Sequence, residues 1–130
     1  MGAEFDLITD GRTWWESREV PGELWLRVVV HDSDVGVLEY SPRFGGAGLA
    51  YAGVTARTYF EDPSIPETDK PREVESLARW FAEAGVAGPD IRGRLEGLLV
   101  AEGDEGVGAF VEESLSEFFA STTLGSPFDA

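Results

Sequence analysis

The chain's one histidine, His31, stands directly before two aspartates in "HDSD". A histidine beside carboxylates is the start of a general-base pair or of a metal site. Ser/His/Asp catalysis also needs a positioned nucleophile, and no G-x-S-x-G signature occurs. Zinc needs several nitrogen or sulfur ligands, and one His with no Cys supplies one nitrogen. The expectation is a plain strand-end histidine. "DSDVG" matches the opening of a calcium loop. The third ligand of that pattern is missing, the Gly comes one residue early and a strand follows, so the segment reads as a hairpin turn. "GDEG" (Gly103 to Gly106) is an acidic turn, and "RFGGAG" lacks both the spacing and the G-K-[ST] of a phosphate loop. Paired carboxylates for glycoside hydrolysis are abundant, but no pair stands in an apolar setting that would raise one pKa. No catalytic residue, cofactor or metal is expected.

Charge is the most unusual property. Ten Lys plus Arg oppose 25 Asp plus Glu, a net charge of −15. Nucleic acid and anionic membranes both require a basic footprint, so neither is an expected partner. The balance favours solubility and a basic protein partner. It is also uneven: Glu102, Asp104, Glu105, Glu112, Glu113, Glu117 and Asp129 face no Lys or Arg between Glu102 and Ala130. Such a run is either a solvated face or a docking surface for a cationic protein.

The elements that would position these residues follow from pattern. A chain of 130 residues, 42% apolar and 12% aromatic, suits one domain spanning residues 1–130 with a real core. The absence of Cys fits a reducing cytoplasm. The opening "MGAEFDLITD" has no basic stretch before an apolar one, and no apolar run approaches membrane-spanning length, so a cytoplasmic protein is expected. "LWLRVVVH" places Leu24, Leu26, Val28 and Val30 on one strand face, and "VGVLEYS" is its hairpin partner. "EFDLIT" reads as an edge strand. Leu49 to Glu61 reads as one bent strand or two short ones divided near Gly53. Pro71 in a first turn after Thr68 or Asp69, an apolar stripe at Val74, Leu77, Ala78 and Phe81, and Gly85 as a stop define a helix. Another is expected from about Val107 to Ala120, with Phe110, Val111, Leu115 and Phe118 as its stripe. "RLEGLLVAE" fits a late strand or a short helix broken at Gly97, with a strand preferred. The expected class is α+β, an antiparallel sheet of four to five strands with two helices packed on it.

Three stretches, "LWLRVVVHDSDVGVLEYSP", "GGAGLAYAGV" and "TYFEDPSIPETDKPREVESLARWFAEAG", resemble the immunity proteins of bacterial polymorphic toxin systems, in particular the first-numbered immunity family. Gly36, Leu38 and Tyr40 match its G-x-L-x-Y return strand. Gly45, Gly46, Tyr59 and Pro66 match its Gly-rich and aromatic middle, and Val74, Ala78, Phe81 and Gly85 its helix. The resemblance covers roughly residues 24 to 87. The family tends to continue into a short Pro-containing strand ending in Trp; here the Pro is present without the Trp.

The resemblance implies a cytoplasmic antitoxin-like inhibitor that binds a cognate toxin domain, often a nuclease or deaminase acting on nucleic acid. Such toxins handle polyanions with basic clefts, and a strongly anionic protein would steer onto one and occlude it. The expected contact residues are Asp32, Asp34 and Phe44 at the hairpin end and Gly-rich loop, and Glu112, Glu113 and Glu117 on the last helix. The alternatives are a DNA-mimicking acidic inhibitor of a host nuclease, of the phage type, and a small enzyme.

Overall fold

Period-two alternation builds the middle of the sheet. The computed structural model describes residues 4–16, 22–102 and 110–128. Its strands are β1 (Phe5–Thr9), β2 (Trp14–Glu16), β3 (Trp25–His31), β4 (Val35–Ser41) and β5 (Leu49–Gly53). Its helices are α1 (Ala56–Tyr59), α2 (Lys70–Glu83), α3 (Ile91–Leu98) and α4 (Val111–Ala120). All strand pairs are antiparallel, in the order β2-β1-β3-β4-β5. The class is therefore α+β, as the patterning predicts, with two short helices beyond the two expected.

On β3 the side chains of Leu26, Val28 and Val30 are buried, and the residues between them are half-buried. Register carries that face across β4, where Val28 pairs with Leu38 and Leu26 with Tyr40, and on to β5, where Leu38 pairs with Ala50. The helices cover this face with Val74, Leu77, Trp80 and Phe81 of α2, Leu95 of α3, and Val111, Leu115, Phe118 and Phe119 of α4. Gly36 lets α4 come close: a Cβ there would lie 3.0 Å from Leu115 and 3.1 Å from Val111. The other face holds a smaller apolar cluster at the β4–β5 side, built on Val35, Tyr51, Ala56 and Val100. Beside it Arg27 reaches Asp6 at 2.7 Å and Glu39 at 3.4 Å across three strands.

Three expectations are corrected. β1 is not an edge strand: it lies between β3 and β2, and the three-residue β2 with its two Trp takes the edge. The segment after Gly53 does not continue as a strand, because Thr55 caps α1 by accepting a hydrogen bond from the Thr58 N–H. "RLEGLLVAE" is mostly helical. Asp90 caps α3 through the Gly93 N–H, and Ile91, Leu95 and Leu98 recur at i, i+4 and i+7 towards the core. Of the preferred strand, one bridge between Leu99 and Ala52 remains. The last helix is described from Val111 onward, and its expected start at Val107 lies outside the described residues.

The N-cap of α2 is Asp69, which accepts from the Arg72 N–H. Its first turn carries Glu73, which is 1% exposed. The Tyr40 hydroxyl donates to Glu73 Oε1 at 2.6 Å, and the Ala47 and Leu49 N–H groups donate to Oε2 and Oε1 at 2.9 and 3.3 Å. This carboxylate ties the Gly-rich loop to the helix. Gly46 permits it, because a Cβ there would lie 2.7 Å from the Tyr40 hydroxyl and 2.9 Å from Glu73 Oε2. Trp14 fastens the C-terminal segment: its ring meets Phe119 edge-on and its Nε1–H donates to the Gly125 carbonyl at 3.1 Å. Among the described residues no helix is long and apolar enough to cross a membrane.

Candidate partner-binding surface

The polar turn between β3 and β4 is tight. Asp32 and Ser33 take positive φ values of 54° and 58°, and the Asp34 N–H donates to the His31 carbonyl at 3.1 Å. Two consecutive left-handed residues give the primed turn whose twist suits a hairpin, and Asp tolerates that conformation better than most side chains. The turn is also bolted sideways. Ser33 is buried, its hydroxyl donates to Glu112 Oε1 at 2.9 Å, and its carbonyl accepts from the Val111 N–H at 3.0 Å. The tip of the hairpin and the first turn of α4 are thus one surface. They bring Asp32 and Asp34 together with Glu112 and Glu113, four of the six residues chosen from sequence.

The end of α1 completes this surface. The Tyr59 hydroxyl donates to Asp32 Oδ2 at 3.1 Å. Desolvation, that hydrogen bond and the charges of Asp32, Asp34 and Glu4 hold the Tyr59 hydroxyl above its ordinary pKa. His31 packs edge-on against Tyr59 at 5.5 Å and tilted against Phe60 at 5.6 Å, and its Nδ1 lies 3.2 Å from Glu4. The histidine therefore sits in an aromatic and acidic surface cluster. No group of three or more His, Asp or Glu among the described residues is arranged to hold a metal ion.

Two large apolar side chains are exposed among the described residues: Phe60 at 54% and Phe110 at 59%. Both lie at this end. Phe60 stacks beside His31 and Tyr59, and Phe110 is the N-cap residue of α4, next to the Val111 amide that binds the turn. Sequence reasoning placed Phe110 in a buried stripe and gave Phe60 no role. Phe110 is a poor N-cap and makes no side-chain cap bond, so helix formation does not account for it.

Phe44 is elsewhere. It follows the far end of β4, a seven-residue strand, so it lies roughly 20 Å from the turn by strand rise. It is half-buried rather than exposed, with the Arg79 guanidinium 4.8 Å from its ring centroid and its carbonyl accepting from the Ser76 hydroxyl. Glu117 lies one helical turn beyond Glu113, along α4 and away from the hairpin. Compared with protein-family models, curated proteins and solved structures, the chain matches none of them.

Proposed function

We propose that this protein is an immunity-type inhibitor that lays its acidic hairpin end over the basic active site of a cognate toxin domain, a nuclease or a nucleic-acid deaminase, in the cytoplasm of the producing cell. One observation carries the reading. The two large apolar side chains exposed among the described residues, Phe60 and Phe110, flank a surface made of the hairpin turn with Asp32 and Asp34 and the first turn of α4 with Glu112 and Glu113. Apolar anchors within a polar, charged rim are the anatomy of a protein interface. The net charge of −15 gives the long-range attraction to a cationic cleft. The resemblance to toxin immunity proteins supplies the biological class. Nothing in the mechanism requires a reaction: the inhibitor excludes the toxin's polyanionic substrate by occupying its site.

The test is capture and inhibition of the toxin encoded beside this chain. The double variant Phe60→Ala/Phe110→Ala should weaken binding by about a hundredfold or more. It should leave thermal unfolding almost unchanged, because both rings are more than half exposed. Asp32→Asn/Asp34→Asn should instead slow association by about tenfold and flatten its salt dependence. If both variants inhibit like the parent, this end is not the interface. Turnover of a substrate by the pure protein would remove the inhibitor reading altogether, and capture of a host nuclease would make the chain a DNA mimic.

A further inference from the structure

A second feature lies on α4, one turn from the hairpin. An open groove of about 450 Å³ runs between the helix and a pair of rings, Phe5 and Phe128, whose centroids are 4.6 Å apart. The rings and Ala120 give the groove apolar surface, and Glu112, Glu113 and Glu117 line it. The Ser116 and Ser126 hydroxyls lie 2.7 Å apart and hold the C-terminal segment against the helix. Among the described residues no Lys or Arg lines it.

Glu112 and Glu113 suit the positive end of α4, but towards its C-terminus the helix is electrostatically unfavourable. Glu113 and Glu117 are a like-charge i, i+4 pair. Glu117 also stands towards the negative end of the helix dipole, and no basic residue occupies the last turn. Glu112 holds one wall of the groove in place, because its Oε1 accepts from the Ser33 hydroxyl of the hairpin turn.

We infer that this groove receives a cationic amphipathic segment of the partner protein, with one apolar side chain set against Phe5, Phe128 and Ala120 and Lys or Arg facing Glu112, Glu113 and Glu117. The inference rests on the inhibitor reading for its partner and names the chemistry of that partner. A segment presenting apolar anchors on one face and bases beside them is the helix-in-groove mode of recognition.

The probe is a synthetic amphipathic peptide of Lys, Leu and Ala, about 12 residues long so that it spans the groove, with a Glu-for-Lys counterpart as control. Titrated into the isotope-labelled protein, the Lys peptide should shift the amide resonances of Ser116, Ala120 and Phe128 saturably, and the Glu peptide should not. Glu113→Gln/Glu117→Gln should weaken the Lys peptide by about tenfold. Glu117→Lys should abolish its binding while raising the melting temperature of the free protein by about 3 °C. That rise shows a folded variant, so lost binding is not lost structure. Equal binding of both peptides, or shifts centred on the hairpin turn, overturn the inference. If the cognate toxin is captured with undiminished affinity by Glu113→Gln/Glu117→Gln, the groove assignment falls and the inhibitor reading stands. If the Lys peptide seats in the groove but no basic protein partner is captured, the inhibitor reading falls and the groove remains a cationic-peptide site.

Discussion

Glu73→Ala is expected to destabilise the fold by about 3–5 kcal/mol, measured by urea unfolding. The reason is what the carboxylate leaves behind. The Tyr40 hydroxyl and the Ala47 and Leu49 N–H groups all donate to it, and the site is 1% exposed, so solvent does not readily replace the lost acceptor. Glu73→Gln keeps the volume but turns an N–H₂ towards a donor. It should cost less, about 1–3 kcal/mol, the range for one unsatisfied buried group. Tyr40→Phe removes one donor and should cost about 1 kcal/mol.

The same node sets a pH dependence. Burial first, and then the hydrogen bond to Glu73 and its charge, push the Tyr40 pKa above its ordinary value. With the folded pKa raised, the native state keeps a proton that the unfolded chain gives up. The stabilisation is fully present below the ordinary tyrosine value and is lost as pH rises beyond it. Stability should therefore fall above pH ~10, at up to about 1.4 kcal/mol per pH unit from this group. Tyr51, raised chiefly by burial, adds a loss of the same sign. In Tyr40→Phe the alkaline slope should shrink to what Tyr51 and Tyr59, both also raised, leave. An unchanged slope would mean that Tyr40 ionises as freely folded as unfolded.

Glu73 also shows where the sequence was readable. The stripe Val74, Leu77, Ala78 and Phe81 was visible as an amphipathic pattern, and it does face the core. The adjoining stripe Glu73, Ser76, Leu77 and Trp80 has the same i, i+3, i+4, i+7 spacing and is also buried, but two of its members are polar. Polarity patterning assigns such residues to solvent, and only the loop that meets them reverses the assignment. The hairpin was legible because β-branched alternation and turn chemistry agree locally. Its attachment to α4 was not, because Ser33 and Glu112 are 79 residues apart in sequence. Phe44 misled for a related reason. A Gly-flanked aromatic reads as exposed, yet the guanidinium of Arg79 from another element covers it. The candidate surface was thus half readable. Its acids could be picked by charge, whereas Phe60 and Phe110 appear only when three elements converge.

That convergence makes Gly53→Ala the second large effect, and it joins stability to the surface. Gly53 ends β5 with φ +82°, and a Cβ there would lie 2.2 Å from the Asp34 carbonyl oxygen and 3.2 Å from Val111. The obstacle is backbone, so no side chain can swing aside. Conformational strain at positive φ costs about 1–2 kcal/mol. Relieving the overlap must also move Asp34 away from β5, where its carbonyl accepts the Val54 N–H at 3.1 Å. A total of about 3 kcal/mol or more is expected. Gly85→Ala separates the two contributions. Gly85 has φ +76° but nothing within 4 Å of its Cβ position, so only the conformational part, about 1 kcal/mol, should appear. Because the displaced carbonyl belongs to the turn, Gly53→Ala should also shift the amide resonances of Ser33, Asp34 and Val111 and weaken partner capture. Gly85→Ala should leave both as they are. Equal unfolding free energies for the two variants would mean that the turn is not wedged against β5, and that the hairpin tip is held by α4 and the Tyr59 hydroxyl without it.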